Sequence, residues 1–181
     1  MKHFFINENI FDAGGDFSIT DEFDQIRFRV DAKNNGRSLI RDKMILRDAH
    51  GKRLAQLRQV SLFPVSRYQI IQSDRSKGGR HVTARLCAYA NLTKHYHFTI
   101  RWPTDPDEEP CTVHGDVMGW DFRITQNGHT IASVSHKLSA HNDLYGIRIN
   151  ETDDNEVVKI IGACIIICRI VRDQQIRRTL F

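Results

Sequence analysis

Four cations in the first third of the chain have the residue types and spacing of a phosphate-binding surface. Arg27 and Arg29 alternate with the apolar residues of the segment QIRFRV, so both point away from the core if that segment is a strand. Lys43 and Arg47 lie in the same way on the outward side of the segment KMILRD. If the two segments pair, the four side chains line one surface, and arginine offers phosphate a bidentate fork. Outward charges that only keep a barrel solvated would give the same pattern, so both interpretations stand.

Sequence motifs for catalysis are absent. The chain contains no GxSxG nucleophile elbow, no P-loop lysine motif and no HExxH zinc motif. The paired glycines at 14–15 and 78–79 fit turns better than phosphate loops. We therefore predict that the protein is not an enzyme and carries no cofactor.

Metal-binding and redox chemistry also find little support. His95 and His97 would share one strand face, but no third ligand lies near them in the sequence. The acidic loop PTDPDEEP at 103–110 lacks the ligand spacing of a calcium loop. Cys164 and Cys168 are four residues apart, which places both on one face of a helix, where buried thiols pack as small hydrophobes. We predict no metal site and no reactive cysteine.

Composition and charge indicate one ordinary globular domain spanning residues 1–181. The net charge of +4 permits an anionic partner without requiring one. Nucleic acid is the less favoured partner, because the sequence shows neither a helix-turn-helix nor an aromatic RNA-binding signature. The four cysteines form no CxxC pair, and the N-terminus does not resemble a signal peptide. We therefore expect reduced thiols and a cytoplasmic location. If the cations bind lipid, the protein would also attach to the periphery of a membrane.

Most of the chain before residue 153 consists of short segments in which apolar and polar residues alternate. This period of two places apolar side chains on one face, as in antiparallel strands that curl around a core. Asn127-Gly128 is typical of a tight hairpin turn, and the segment AHGK at 49–52 places a glycine at another turn. The predicted strands are DFSIT, QIRFRV, KMILRD, KRLAQL, RYQIIQ, HVTARLCAY, HYHFTIRW, WDFRITQ, HTIASVSHK and LYGIRIN.

A long apolar segment follows these strands, from Val157 to Val171. Its 15 residues would reach only about 22 Å as a helix, too short to cross a bilayer. It is also about twice as long as a usual buried strand. Asp153 and Glu156 have the spacing of a capping box, in which each side chain satisfies a backbone N–H at a helix start. We predict a helix over about 154–172 that is apolar on all sides and must be enclosed by the rest of the chain.

Two stretches of the chain repeat one another at an offset of 77 residues. The matches include Gly51 with Gly128, Leu57 with Val134, Tyr68 with Tyr145 and Ile70 with Ile147. The pattern predicts two similar β-rich halves, about 16–72 and 97–150, followed by the apolar helix.

Taken together, these segments resemble the LURP-one-related family over roughly residues 2–172. The resemblance rests on DFSITDE, DKMILRDAHGKRLAQLRQ, DFRITQNGHTIASVSHK and NDLYGIRI, followed by an acidic turn and the apolar helix. This family shares the fold of the Tubby C-terminal domain and the phospholipid scramblases. The resemblance implies a closed antiparallel β-barrel of about twelve strands around a central buried hydrophobic C-terminal helix.

The resemblance also implies a connection with phospholipids. Tubby domains bind phosphoinositides, and scramblases move lipids across bilayers, which in this chain would require the helix to leave the barrel. We therefore expect binding of anionic phospholipid headgroups at the basic outer face formed by Arg27, Arg29, Lys43 and Arg47. The alternative is an intracellular protein-interaction or scaffold module with no lipid role. Fold alone does not decide between them.

Overall fold

In the computed structural model, twelve antiparallel strands close into a barrel and a single helix follows them. The structure describes residues 1–7, 16–32, 43–61, 65–74, 79–90, 96–102, 109–136 and 144–179, without the side chains of 7, 61, 74, 90, 96 and 172–179. The strands are β1 (Lys2–Asn7), β2 (Phe17–Asp21), β3 (Ile26–Ala32), β4 (Lys43–Asp48), β5 (Arg53–Ser61), β6 (Ser66–Asp74), β7 (Gly79–Ala90), β8 (Tyr96–Arg101), β9 (Cys111–Asp116), β10 (Asp121–Gln126), β11 (His129–Ser135) and β12 (Leu144–Ile149), and the helix is α1 (Asp154–Thr179).

Each strand pairs with its neighbours in the sequence, and β1 closes the barrel between β2 and β12. The predicted fold class is therefore confirmed, and each of the ten predicted strand segments forms a strand. The sequence pattern missed two strands, β1 and β9. In β1 the adjacent Phe4 and Phe5 obscure the alternation, and β9 carries only Cys111 and Val113 as strongly apolar residues before Gly115.

The helix fills the barrel and shares one hydrophobic core with the strands. Every residue from Val157 to Cys168 is buried, and Ile165, Ile166 and Ile167 are inaccessible to solvent. These twelve successive buried residues make more than three helical turns, so the strands enclose the helix on all sides. At Gly162 the backbone approaches the wall closely: a Cβ there would lie 3.0 Å from Leu57 Cδ2.

The start of the helix is capped partly as the sequence predicts. The Asp153 carboxylate accepts hydrogen bonds from the backbone N–H groups of Asn155 and Glu156, at 2.9 and 3.1 Å. The reciprocal half of the predicted capping box is different, because Glu151 and not Glu156 accepts the bond from the Asp153 N–H, at 3.1 Å. Glu156 instead pairs with the ammonium of Lys159 at 2.5 Å. These carboxylates satisfy N–H groups that have no partner within the helix.

The helix runs to Thr179 rather than ending near residue 172 as predicted. The prediction ended the helix there because the continuous apolar segment ends at Val171. The residues that follow include no proline or glycine that would stop a helix. Among the helical residues that the structure describes, no stretch has both the length and the apolar character needed to cross a membrane.

Corresponding strand pairs share one register at the repeat offset. Leu57 pairs with Ile70 in β5–β6, and Val134 pairs with Ile147 in β11–β12. The hairpin at Asn127-Gly128 forms as the sequence predicts, and both residues adopt positive φ angles of 49° and 77°. The shared register allows outward positions on one wall of the barrel to be compared with equivalent positions on another.

Candidate functional site

The structure brings two of the four predicted site residues together. Strands β3 and β4 pair so that Arg29 lies directly opposite Arg47 on the outer surface. Arg47 is partly neutralised there, because its Nε lies 2.6 Å from a carboxylate oxygen of Asp31 and its guanidinium also donates to the carbonyl of Gly51 at 3.0 Å. Arg29 is exposed, and no ion pair joins it to another described residue. Arg29 is therefore the freer of the two cations.

The other two predicted residues lie apart from this pair. Arg27 is near the start of β3 with its side chain 57% exposed, and its guanidinium lies 3.8 Å from a carboxylate oxygen of Asp21. Lys43 lies at the opposite end of the β3–β4 hairpin, and its partner across the sheet is Arg58 of β5. We call Arg27, Arg29, Lys43 and Arg47 the basic patch. Its four residues are spread along the length of β3 and β4 and do not form a compact cluster.

A β-bulge adds a further cation beside Arg47. The register of β4 and β5 shifts after Leu46, and the shift places Arg47 opposite Arg53. Burial, together with the charges of Arg80 and Arg47, lowers the pKa of the Arg53 guanidinium from its usual value. Arg53 donates to the side chain of Gln56, so its guanidinium is held against the wall. The like charges raise the local positive potential at this end of the barrel.

A straight row of cations crosses five neighbouring strands on the same side of the barrel. The strand register sets each residue directly opposite the next, from β4 to β8. The four cations are exposed and the glutamine is half-buried. The residues of this cation row are Lys43, Arg58, Gln69, Arg85 and Arg101.

The cation row differs from the basic patch in having no internal neutralisation. Within the described part of the chain, none of its four cations forms an ion pair with a carboxylate. Neighbouring strands lie about 4.8 Å apart, so Arg58 and Arg85 stand roughly 10 Å apart at their Cα atoms with the Gln69 amide between them. All three side chains carry hydrogen-bond donors, and an arginine can offer them to phosphate as a bidentate fork. The arrangement suits an extended anionic surface better than a single enclosed ion.

Equivalent positions on another wall show that the barrel does not require cations there. On that wall, Ser135 pairs with Gly146, Gly146 with Phe5, and Phe5 with Thr20. These four residues occupy, in the same order, the positions that Arg58, Gln69, Arg85 and Arg101 occupy in the cation row. This equivalent row carries no charge, and Ser135 and Gly146 are buried. The cation row is therefore a property of one wall and not of the architecture.

A cavity of about 250 Å³ lies at the end of the barrel where the helix begins. Its lining includes Trp102, His129, Glu151 and Glu156. The buried ammonium of Lys159 lies 5.3 Å from the ring centroid of Trp102 and is neutralised by Glu156. Among the helix side chains that the structure describes, Lys159 is the buried charge, and these contacts satisfy it. They account for Lys159 as an anchor of the helix start.

Metal and thiol chemistry has little basis among the described residues. No group of three potential ligands comes together in the ranges listed above. His95 and most of the acidic loop at 103–110 lie outside those ranges, while His97 is exposed on β8. Burial raises the pKa of the Cys164 thiol to about 12 and that of Cys168 well above its ordinary value. Both thiols therefore stay protonated at neutral pH, as expected of packing residues.

Sequence reasoning missed most of the cation row. Arg58, Arg85 and Arg101 each alternate with buried residues in their own strands, which is a signal visible in the sequence. Their alignment depends on the register of four strand pairs, and three of those pairs, β4–β5, β5–β6 and β6–β7, contain a register shift. Local patterns do not determine such registers.

Comparisons with known proteins agree with this architecture. The model of the LURP-one-related family matches residues 2–168 of the chain. A protein of Arabidopsis thaliana whose structure was solved by X-ray crystallography is similar, with a TM-score of 0.56, 15% sequence identity and coverage of 90% of each chain. That identity supports the fold alone. A comparison with curated protein sequences finds no match.

Proposed function

The chain belongs to the LURP-one-related family, and we propose that it binds anionic phospholipid headgroups through the cation row and the basic patch without catalysing a reaction. Arg29 and Arg47 lie on the same side of the barrel as the row, and Lys43 belongs to both sets. Binding of this kind attaches the protein to the periphery of a membrane. It leaves the apolar helix inside the barrel.

The observation that carries the proposal is the absence of neutralising partners along the cation row. A charged side chain that serves only to solvate a wall is commonly interspersed with charges of the opposite sign. Here four cations lie on five adjacent strands, and no described carboxylate pairs with any of them. The resulting positive strip is complementary to the negative surface of a phosphatidylserine-containing leaflet.

The expected affinity follows from the number of cations that reach the surface. Each lysine or arginine near an anionic leaflet contributes about 1 kcal/mol. Removing Arg58 and Arg85 should therefore cost about 2 kcal/mol, which weakens binding by a factor of roughly 10 to 30. The interaction should also weaken as salt screens the charges.

Co-sedimentation with vesicles tests the proposal. The wild-type protein should sediment with vesicles of phosphatidylcholine and phosphatidylserine and remain in the supernatant with pure phosphatidylcholine. The double variant Arg58→Gln, Arg85→Gln should bind the anionic vesicles roughly 10 to 30 times more weakly. Arg123→Gln, Arg148→Gln is the matched control, because it removes the same net charge from strands β10 and β12.

Two results would overturn the proposal. If wild-type protein sediments equally with both kinds of vesicle, the protein does not recognise headgroup charge. That result would favour the alternative of a protein-interaction or scaffold module with no lipid role. If both double variants lose affinity by the same factor, binding depends on net charge and not on the cation row.

A further inference from the structure

A second row of basic residues crosses the strands that follow the cation row around the barrel. Arg123 pairs with His114 of β9 and with Ser133 of β11, and Ser133 pairs in turn with Arg148 of β12. Arg148 pairs with His3 of β1. We call His114, Arg123, Ser133, Arg148 and His3 the second row. At its centre, two arginines flank a hydroxyl across three adjacent strands, as Arg58 and Arg85 flank an amide in the cation row.

The second row is accessible and not neutralised. Arg123 and His114 are exposed, and the other three residues are half-buried. Among the described residues neither arginine has an ion-pair partner. The His114 ring is held in place, because its Nε2 lies 2.8 Å from the Thr112 hydroxyl.

The repeat again supplies an internal comparison. Gln56 pairs with Ile71 on the first wall as Ser133 pairs with Arg148 on the second. Gln56 is buried and Ile71 is half-buried and uncharged. The two walls thus present their cations at different positions of the repeat, so neither row is a by-product of the shared strand pattern.

The two rows face nearly opposite directions. The central strand of the cation row is β6 and that of the second row is β11, which are five strands apart one way around the closed barrel and seven the other way. Twelve evenly spaced strands give an angle of about 150° between the rows. One flat surface cannot contact both rows, so a protein docked by the cation row leaves the second row facing solution.

From this geometry we propose that the second row is a second anionic-lipid contact, with which the barrel bridges two membrane surfaces. The inference rests on the proposed function for the first contact. The wall is convex, and the described cavity lies at the barrel end, so the ligand that fits is an extended surface of phosphate-bearing headgroups. With two arginines in place of four full cations, the second contact is the weaker one.

Vesicle clustering, followed by light scattering, tests bridging. Wild-type protein should cluster vesicles of phosphatidylcholine and phosphatidylserine but not pure phosphatidylcholine vesicles. Arg123→Gln, Arg148→Gln should sediment with anionic vesicles within about twofold of wild type, because the stronger contact is intact. The same variant should cluster them at least tenfold more slowly. Clustering at the wild-type rate by this variant would overturn the inference while leaving the proposed function standing.

A second measurement tests the second row without the first contact. In the Arg58→Gln, Arg85→Gln variant, short-chain phosphatidylserine should shift the backbone NMR signals around Ser133, and inorganic phosphate at the same concentration should shift them much less. No shift with the lipid would overturn the inference even if vesicle binding is intact. An equal shift with inorganic phosphate would identify a site for free phosphate and also overturn it. Loss of vesicle binding in this variant with the Ser133 shifts retained would confirm both contacts separately.

Discussion

Alanine substitutions around one turn of the helix test whether the barrel encloses it. Cys164, Ile165, Ile166 and Ile167 are four successive buried residues, and at 3.6 residues per turn they cover the whole circumference. Replacing any of the three isoleucines by alanine removes buried methyl groups and leaves a cavity. That change costs about 2 to 5 kcal/mol, of which the better helix propensity of alanine returns only about 0.5 kcal/mol.

Urea denaturation followed by circular dichroism measures these free energies of unfolding. We expect each of Ile165→Ala, Ile166→Ala and Ile167→Ala to lower stability by at least about 2 kcal/mol. Isoleucine-to-valine variants at the same positions, expected to cost about 0.5 to 1.5 kcal/mol, keep the test readable if an alanine variant does not fold. Ile26→Ala is the control, because Ile26 is 38% exposed. A helix docked against one side of the sheet would leave one of the three sites with a cost below about 0.5 kcal/mol, which would refute the enclosure.

Three further predictions concern the same helix. Asp153→Ala removes the acceptor of two backbone N–H groups and should cost about 1 kcal/mol in urea denaturation, whereas an unchanged midpoint would mean that water replaces the cap. Gly162→Val forces a side chain against the wall and should destabilise by about 1 to 3 kcal/mol; a stability gain would show that the wall yields there. Burial raises the pKa of Cys164 to about 12 and that of Cys168 well above its ordinary value of 9.0. Both thiols therefore stay protonated in the native protein at a pH where they ionise in the unfolded chain, so the free energy of unfolding should fall as pH rises above about 9. Replacing Cys164 and Cys168 by alanine should make the free energy of unfolding depend less on pH in this range. In the native wild-type protein, iodoacetamide should modify the half-buried Cys87 before either helix thiol. Equal labelling of all three cysteines would contradict the burial of Cys164 and Cys168.

Ten of the strands and the enclosed helix could be predicted because they depend on local patterns, while the closure into a twelve-stranded barrel was an implication of the family resemblance. Alternation in segments such as QIRFRV and the continuous apolar run from Val157 are visible without any tertiary information. The capping box was only partly predictable, because Glu156 could bind either the Asp153 N–H or the ammonium of Lys159, and in the structure it binds the buried Lys159. A local motif does not reveal a competing long side chain one turn away.

The candidate site was less predictable because it depends on register. Leu46 pairs with Ala55, and regular pairing would then set Arg47 opposite Leu54, but the bulge sets it opposite Arg53. Lys43 pairs with Arg58, whose outward position is visible in the sequence but whose partner on β4 is not. A row of residues across a barrel depends on the register of several strand pairs. A shift of one residue in any of these registers moves the side chains of that strand to the other face of the sheet.

The most direct test of the account is to observe which wall of the barrel faces a lipid surface. Nanodiscs containing phosphatidylserine and a spin-labelled lipid broaden the NMR signals of residues within reach of the bilayer. In the Arg123→Gln, Arg148→Gln variant, which isolates the first contact, we predict that broadening centres on the amides of Arg58, Gln69 and Arg85 and leaves β10 to β12 sharp. Broadening that centres on the barrel end around Phe23, or that spreads evenly over all strands, would contradict the assignment of the cation row as the membrane contact.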